Sequence, residues 1–331
     1  MEHKANRPSA KARFHSFWHG EHTVSKPTAW LIFAIYALLL LSRLIDTFFL
    51  TRENQYLSTV LLQLLIFPIP AYLYIRLRGD ALKGKLALKP PSLSHLFLLL
   101  SAILMLISGC TLLGLICGMM NAQPSFTLYD TFSSIHDGTA SATVRLILAY
   151  GILPAFCEEL IFRSILCAEY EKHGILYASL LSSLFFALLH FDLTALPVYL
   201  FAGVLLAAVR YVSRSGIASM IVHLGYNLFG IFLQAGLSGY CRSTGSIGLL
   251  VILLISLLLL SSAFFCGEVS RILKRRGARD LLDDPAALST PGLNRIPLRG
   301  WPSALLHAFT YPPAVGALLL WMLGVVLHII R

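Results

Sequence analysis

The chain has 331 residues, of which 57% are hydrophobic and only 13% are charged, and its formal net charge is +10. A soluble protein of this length does not need so much apolar surface, and several apolar runs exceed the roughly 18–20 residues that cross a bilayer. The composition therefore excludes a soluble enzyme and predicts an all-α polytopic membrane protein. No nucleic-acid-binding motif accompanies the positive charge, so nucleic acid is not an expected partner.

Nine apolar segments are predicted to cross the membrane. In chain order they cover about Ala29–Leu50, Tyr56–Leu77, His95–Met120, Ala142–Cys167, Ile175–Phe191, Ala195–Val212, Ile217–Leu237, Ile247–Cys266 and Ala304–Ile330. The ninth contains Pro312 and Pro313, which free backbone groups that need other partners in lipid. It is either a full span or a short interfacial helix followed by a span from about Ala314. We therefore expect eight or nine transmembrane helices.

Basic residues are concentrated in segments between the spans and predict an orientation. They precede the first span, recur between spans two and three, and follow span eight (Lys4, Arg7, Lys11, Arg13, Lys26; Arg76, Arg78, Lys83, Lys85, Lys89; Arg271, Lys274, Arg275, Arg276, Arg279, Arg295, Arg299). Because Asn121–Ser141 has no Lys or Arg, the positive-inside rule places that loop outside and the N-terminus in the cytoplasm. The same charge predicts attraction to anionic lipid headgroups.

The position of ionisable groups within spans divides the chain into four parts. These are a basic cytoplasmic tail (1–28), leading transmembrane helices (29–141), a polar core of four helices (142–237) and trailing helices (238–331) that include a cytoplasmic loop (267–302). In the first span Arg43 and Asp46 share a helical face, which favours an internal salt bridge over a direct role in chemistry. Gly114/Gly118 and Gly203/Ala207 have the small-xxx-small spacing of close helix packing.

The most informative feature of the chain is the pair Glu158 and Glu159 inside an apolar span. A charged residue near the centre of a membrane helix costs roughly 2.5–3.5 kcal/mol, so such residues are usually functional. Arg163 follows Glu159 by four residues, with the acid N-terminal, which is the favourable order for a helical ion pair. That pairing leaves Glu158 without a local counter-charge and makes it the better general base. The alternative is that all three side chains only hold helices together.

Two later spans add imidazole and amide groups. His190 ends the sequence Phe186-Ala-Leu-Leu-His190, with both rings on one helical face. His223 and Asn227 are also four residues apart and both donate hydrogen bonds, which suits the stabilisation of an oxyanion. Each motif is ambiguous when taken alone. His190 could be a helix–helix hydrogen-bonding residue, and Asn227 could orient His223 or join two helices.

Taken together, these motifs resemble one family. Three spans within a short stretch carry Glu-Glu-x-x-x-Arg, Phe-x-x-x-His and His-x-x-x-Asn, in the order and spacing of the CAAX prenyl endopeptidases and their bacterial relatives, the CPBP or Abi intramembrane proteases. The resemblance covers about Ala142 to Gly230 and includes the turn at Ser215-Gly216. One departure is Ala207, where many members have glycine, and it affects packing only.

The resemblance implies an endopeptidase that hydrolyses a peptide bond of a membrane-associated or lipidated substrate. By position, Glu158 with His190 would activate a water, His223 and Asn227 would stabilise the tetrahedral intermediate, and Glu159 with Arg163 would support the site. It favours a glutamate-activated water without metal, while zinc held by Glu158, His190 and His223 is the other option. It also suggests a bacterial plasma membrane.

The runner-up hypothesis is a non-catalytic immunity or scaffold protein of the same fold. Membrane lipids and a peptide or lipidated protein substrate are the expected partners, and the sequence does not choose the substrate or the oligomeric state. A count along the helices gives one discrepancy. At ~1.5 Å per residue from the cytoplasmic ends, Glu158 lies about 20 Å deep, His190 about 24 Å and His223 only about 12 Å.

Overall fold

The computed structural model describes residues 25–49, 55–120, 139–233, 243, 247–283, 304, 306 and 308–330. In these ranges the regular elements are helices, and no strand is present. The basic tail before residue 25 lies outside the described residues, as do most of the loop 121–141 and of the predicted cytoplasmic loop after residue 283. The side chain of Asp46 also lies outside them, so its predicted salt bridge with Arg43 stays a prediction.

Ten helices, numbered here in chain order, make up the described fold. They are α1 Ser25–Phe49, α2 Gln55–Ile66, α3 Pro68–Arg78, α4 Leu96–Met120, α5 Ala140–His173, α6 Ile175–Leu188, α7 Leu196–Ser213, α8 Gly216–Phe232, α9 Gly248–Asp283 and α10 Pro312–Ile330. Short helical turns at Asp80–Lys83 and Leu93–His95 lie in the segment between α3 and α4.

Every predicted span corresponds to a helix in the structure. In the part of the chain that the structure describes, six candidate spans are long and apolar enough to cross a membrane, and the second of them combines α2 and α3. The helices of spans five, seven and nine are shorter but apolar, at Ile175–Leu188, Gly216–Phe232 and Pro312–Leu327. The chain is therefore an all-α, multi-pass membrane protein, as its composition predicts.

Three predicted spans differ from the observed helices, two of them because of proline. Span two is broken, because α2 ends at Ile66 and α3 begins at Pro68, which donates no backbone hydrogen bond. The prediction of a ninth span from Ala304 is wrong in its start: α10 begins at Pro312, as in the alternative of a late span. Span eight is too short as predicted, because α9 continues to Asp283 and takes the first part of the predicted cytoplasmic loop into the helix.

Helices α5 to α8 pack together, α7 and α8 also pack against α4, and α10 packs against α1. Two helices of this core approach closely at Gly203 of α7, where an added Cβ would lie 2.8 Å from the Cβ of Ser183 on α6. In the other predicted packing pair, Gly114 has no described atom within 4 Å of such a Cβ, and the role of Gly118 stays a prediction. Small-residue spacing therefore marks a helix contact in α7, and among the described residues Gly114 takes no part in one.

The turn between α7 and α8 lies beside the middle of α5 and not beside its end. A Cβ added to Gly216, the first residue of α8, would lie 2.7 Å from Oγ of Ser164. The backbone of this turn is hydrogen-bonded to the segment after α3, because Gly216 N donates to Ala87 O at 2.8 Å and Ser215 Oγ donates to Lys89 O. These bonds satisfy backbone groups that lipid would leave without partners.

Candidate active site

Helix α5, which carries Glu158 and Glu159, departs twice from regular α-helix. Residues Ile147–Ile152 and Leu160–Leu166 are π-helical, and they flank the regular turn Leu153–Glu159. Pro154 lies in the first turn of that regular piece and donates no backbone hydrogen bond. Wide π-turns often occur at functional sites, because they change the direction in which the following side chains point. The two π-helical segments therefore lie on either side of the turn that carries the glutamate pair.

Glu159 and Arg163 form the ion pair that their spacing predicts. Arg163 Nη1 donates to Glu159 Oε1 at 2.8 Å, and both side chains are 0% exposed. Arg163 Nη2 also donates to the carbonyl oxygen of Gly203 on α7 at 3.2 Å. Its guanidinium carbon lies 4.2 Å from the ring centroid of Phe186 on α6. The buried guanidinium group of Arg163 therefore links α5 to α6 and α7.

His223 of α8 lies between the two carboxylates. Its Nδ1 is 3.1 Å from Glu159 Oε1, and its Nε2 is 4.0 Å from Glu158 Oε2. Each carboxylate therefore has a ring nitrogen of His223 on one side, as is expected where the membrane interior penalises charged groups without partners. Residue spacing alone does not predict this sharing of one imidazole by both glutamates.

Glu158 has a different environment from its neighbour. Its side chain remains 14% exposed, whereas that of Glu159 is 0% exposed. Among the described residues its nearest ionic partner is His223, at the long distance of 4.0 Å. Of the two carboxylates, Glu158 is the one that a water or a substrate can reach.

Asn227 lies one helical turn after His223 and contacts the first π-helical segment of α5. Its Nδ2 donates to the carbonyl oxygen of Gly151 at 3.2 Å. The predicted alternative that this amide joins two helices is therefore what the structure shows. An amide nitrogen carries two N–H groups, and only one is used in this bond. The second is the group that an oxyanion role would need.

His190 lies just after the end of α6, with its ring held on two sides. Its Nδ1 is 3.1 Å from the carbonyl oxygen of Phe186, to which only an Nδ1–H can donate, so in the neutral ring Nε2 carries the lone pair. The ring of Tyr199 on α7 stacks on it, with centroids 3.6 Å apart and an angle of 13° between the planes. This geometry leaves Nε2 as a hydrogen-bond acceptor.

Phe186 is the residue that connects the two histidines. Its ring makes edge contacts with both, with centroid distances of 5.2 Å to His190 and 6.0 Å to His223, and its face receives Arg163. All six predicted site residues thus belong to one group of side chains around Phe186 and α5. The depth discrepancy disappears, because α8 starts beside Ser164 and so carries His223 to the level of Glu159.

A three-ligand metal site is not formed by these residues. Within the described ranges, no three His, Cys, Asp or Glu side chains are placed to hold a metal ion. Glu158, His190 and His223 would be the ligands if zinc were bound, and of these His223 is directed at the two carboxylates, whereas an open zinc site needs about three ligands directed at one point.

Two contributors to the site were not predicted from the sequence. Tyr199 stacks on His190, but a tyrosine in an apolar helix has no distinctive sequence signal. For Arg43 the sequence predicts only a salt bridge with Asp46, and the structure adds a contact with the site, because its Nη2 donates to the carbonyl oxygen of His190 at 2.9 Å. The rarity of an arginine within a span was the available signal.

The fold and the site define a polytopic membrane protein with carboxylate, imidazole and amide groups gathered inside its helix bundle. Residues 140–229 match the family model described as type II CAAX prenyl endopeptidase Rce1-like. The family resemblance that the motifs indicate is thereby confirmed for the segment that carries all six site residues. No curated protein and no solved structure matches the chain significantly.

Proposed function

We propose that this protein is an intramembrane endopeptidase that hydrolyses a peptide bond of a membrane-associated substrate with a water activated by Glu158. The observation that carries the proposal is the contrast between two adjacent carboxylates. Glu159 is fully buried in an ion pair, while Glu158 is partly exposed and, among the described residues, its nearest ionic partner is His223 at 4.0 Å. A protein that needs charge only to join helices has no use for the second carboxylate. The family match of the same segment supports hydrolase chemistry.

In the proposed reaction Glu158 accepts a proton from water as the water oxygen attacks the carbonyl carbon of the scissile bond. The Nε2 lone pair of His190 accepts a hydrogen bond from the same water and orients it. The tetrahedral intermediate then collapses, the carbon–nitrogen bond breaks, and the proton held by Glu158 passes to the leaving amine. The products are a new carboxyl end and a new amino end, so one water is consumed for each bond cleaved.

The negative oxygen of the tetrahedral intermediate needs donors that are already in place. Protonated His223 offers its Nε2–H, because Nδ1–H is directed at Glu159. Asn227 offers its second N–H while the first stays on Gly151. Glu159 and Arg163 act by holding His223 and α7 in place, and they do not touch the substrate.

The substrate class follows from where the site lies. A peptide that reaches groups inside a helix bundle is membrane-associated, and the matching family model is that of a prenyl endopeptidase, so we propose a lipidated peptide. From the alternation of basic segments and the positive-inside rule we also propose that the N-terminus is cytoplasmic and that the location is a bacterial plasma membrane. The second candidate, a non-catalytic scaffold of the same fold, would bind such a peptide without cleaving it.

The test uses purified protein in detergent and an internally quenched peptide with a prenylated cysteine next to the scissile bond. The same peptide without the prenyl group tests the need for a lipid anchor. We expect the wild type to cleave the prenylated peptide and Glu158→Gln to lose roughly 10²-fold or more of that activity while remaining folded. Glu268→Gln on α9 is the matched control, because its carboxylate pairs only with Arg271 among the described residues.

Two outcomes would overturn the proposal. Wild-type-like cleavage by Glu158→Gln would remove the assigned base. Binding of the prenylated peptide by the wild type, with no cleavage, would support the scaffold alternative.

A further inference from the structure

The turn that carries His190 is held in an unfavourable backbone conformation. Helix α6 ends at Leu188, and Phe191 has a φ of 53°, in the left-handed region that residues with a side chain avoid. Contacts from elsewhere in the fold must therefore hold this turn in place. They come from α1 and α10, which lie outside the segment that matches the family model.

The ring of Phe191 is enclosed by these two helices. Tyr36 of α1 makes an edge contact with it at a centroid distance of 5.8 Å. A Cβ added to Gly324 of α10 would lie 2.3 Å from its Cδ1, so only glycine fits there. On a third side, the guanidinium carbon of Arg43 on α1 lies 4.9 Å from the centre of the ring.

Arg43 also binds the backbone of the histidine itself. Its Nη2 donates to the carbonyl oxygen of His190 at 2.9 Å. Carbonyl groups at the end of a helix have no intrahelical partner, and a charged donor makes a stronger bond to them than a neutral one. The position of the backbone of His190 is thus fixed by a charged group on the first helix.

The backbone and the ring of His190 are coupled. The backbone N–H of His190 donates to the carbonyl oxygen of Ala187 at 3.4 Å. In a regular helix this N–H would donate to the carbonyl oxygen of Phe186, which instead accepts a hydrogen bond from the ring Nδ1 of His190. A shift of the His190 carbonyl would therefore move the ring and turn its Nε2 away from the attacking water of the proposed reaction.

We propose that Arg43 is a positioning residue that acts through His190, and that α1 is in this way part of the catalytic unit. This inference rests on the proposed peptidase function. It adds a role at the site to the local salt bridge with Asp46 that the spacing suggests.

The test compares Arg43→Gln, Arg43→Lys and Thr28→Val in the prenylated-peptide assay. Thr28 is the matched control because it makes a buried bond from α1 to the core, at 2.8 Å to the hydroxyl of Tyr170, far along the chain from Arg43. We expect Arg43→Gln to lower kcat at least about tenfold at unchanged KM, and to change the pH dependence of kcat. Arg43→Lys should recover most of the loss, since an ammonium group still donates to the carbonyl. Thr28→Val should alter neither kcat nor its pH dependence.

A double variant shows whether the effect passes through the histidine. If it does, Arg43→Gln lowers activity no further in a His190→Gln background. Additive losses, or equal losses of kcat in Arg43→Gln and Thr28→Val, would overturn the inference. Glu158→Gln, measured in parallel, separates the two proposals. If it cleaves like the wild type, the peptidase function fails, whereas if it is inactive and Arg43→Gln is like the wild type, only the role of Arg43 fails.

Discussion

His223 Nδ1 lies 3.1 Å from Glu159 Oε1, across 64 residues of chain. This contact ties α8 to α5 at the fully buried end of the Glu159–Arg163 pair. It also directs the other ring nitrogen, Nε2, toward Glu158. The imidazole of His223 therefore connects the buried carboxylate of Glu159 with the accessible carboxylate of Glu158. Because the contact with Glu159 holds the ring in place, it also sets the position of Nε2 relative to Glu158.

Substitution by alanine should have different effects at the two adjacent glutamates: mainly a loss of stability at Glu159 and mainly a loss of cleavage at Glu158. Glu159→Ala leaves Arg163 buried without its counter-charge, so we expect the free energy of unfolding in detergent to fall by about 3–5 kcal/mol. Glu158→Ala, which removes a partly exposed side chain, should lower it by less than about 1 kcal/mol and abolish cleavage. Denaturant titration checks both values. Equal losses of stability would contradict the separate roles.

Asn227→Ala tests whether the amide does more than join α8 to α5. Loss of the bond to the Gly151 carbonyl should lower stability by about 1–3 kcal/mol. Loss of the second N–H as an oxyanion donor should lower kcat by roughly 10²–10³-fold. We expect both effects, measured as thermal unfolding and as turnover for each folded molecule. Unchanged turnover of the folded fraction would leave the amide only its role as a link between helices.

Gly203→Ala should disturb the site through packing. The added Cβ would press on Ser183, and Gly203 also supplies the carbonyl oxygen that Arg163 Nη2 binds. We expect a stability loss of about 1–3 kcal/mol and reduced cleavage. Gly114→Ala is the matched control, since its Cβ would meet nothing within 4 Å, and it should be neutral or slightly stabilising. The opposite order of stabilities would contradict the observed packing.

Chelation of metal ions should leave the cleavage rate unchanged. The reason is geometric: Glu158, His190 and His223 do not converge as ligands, and His223 is engaged with the two carboxylates. The measurement is activity before and after dialysis against a chelator, together with metal analysis of the purified protein. Loss of activity in chelator that zinc restores would contradict the prediction.

Much of the fold was predictable because lipid imposes a strong and local rule. Each of the nine predicted spans coincides with an apolar helix, since a segment that length and composition commit to the membrane must satisfy its backbone internally. The Glu159–Arg163 pair was predictable for the same reason, because a four-residue spacing on one helix fixes both partners. The errors fell at Pro68 and Pro312 and at the far end of α9, where helices extend or stop without regard to hydropathy.

The assembly of the site was decided by tertiary structure alone. Counting residues from the membrane surface placed His223 about 8 Å too shallow at ~1.5 Å per residue, because the count assumed that α8 starts at the surface. In the structure α8 starts beside Ser164, within α5, and its first turn is held by carbonyl groups of the segment after α3. The role of Arg43 was likewise hidden, since its acceptor is a backbone carbonyl 147 residues away. Sequence alone determined which groups are too costly to place in lipid without purpose, and the packing of distant helices decided which of them meet.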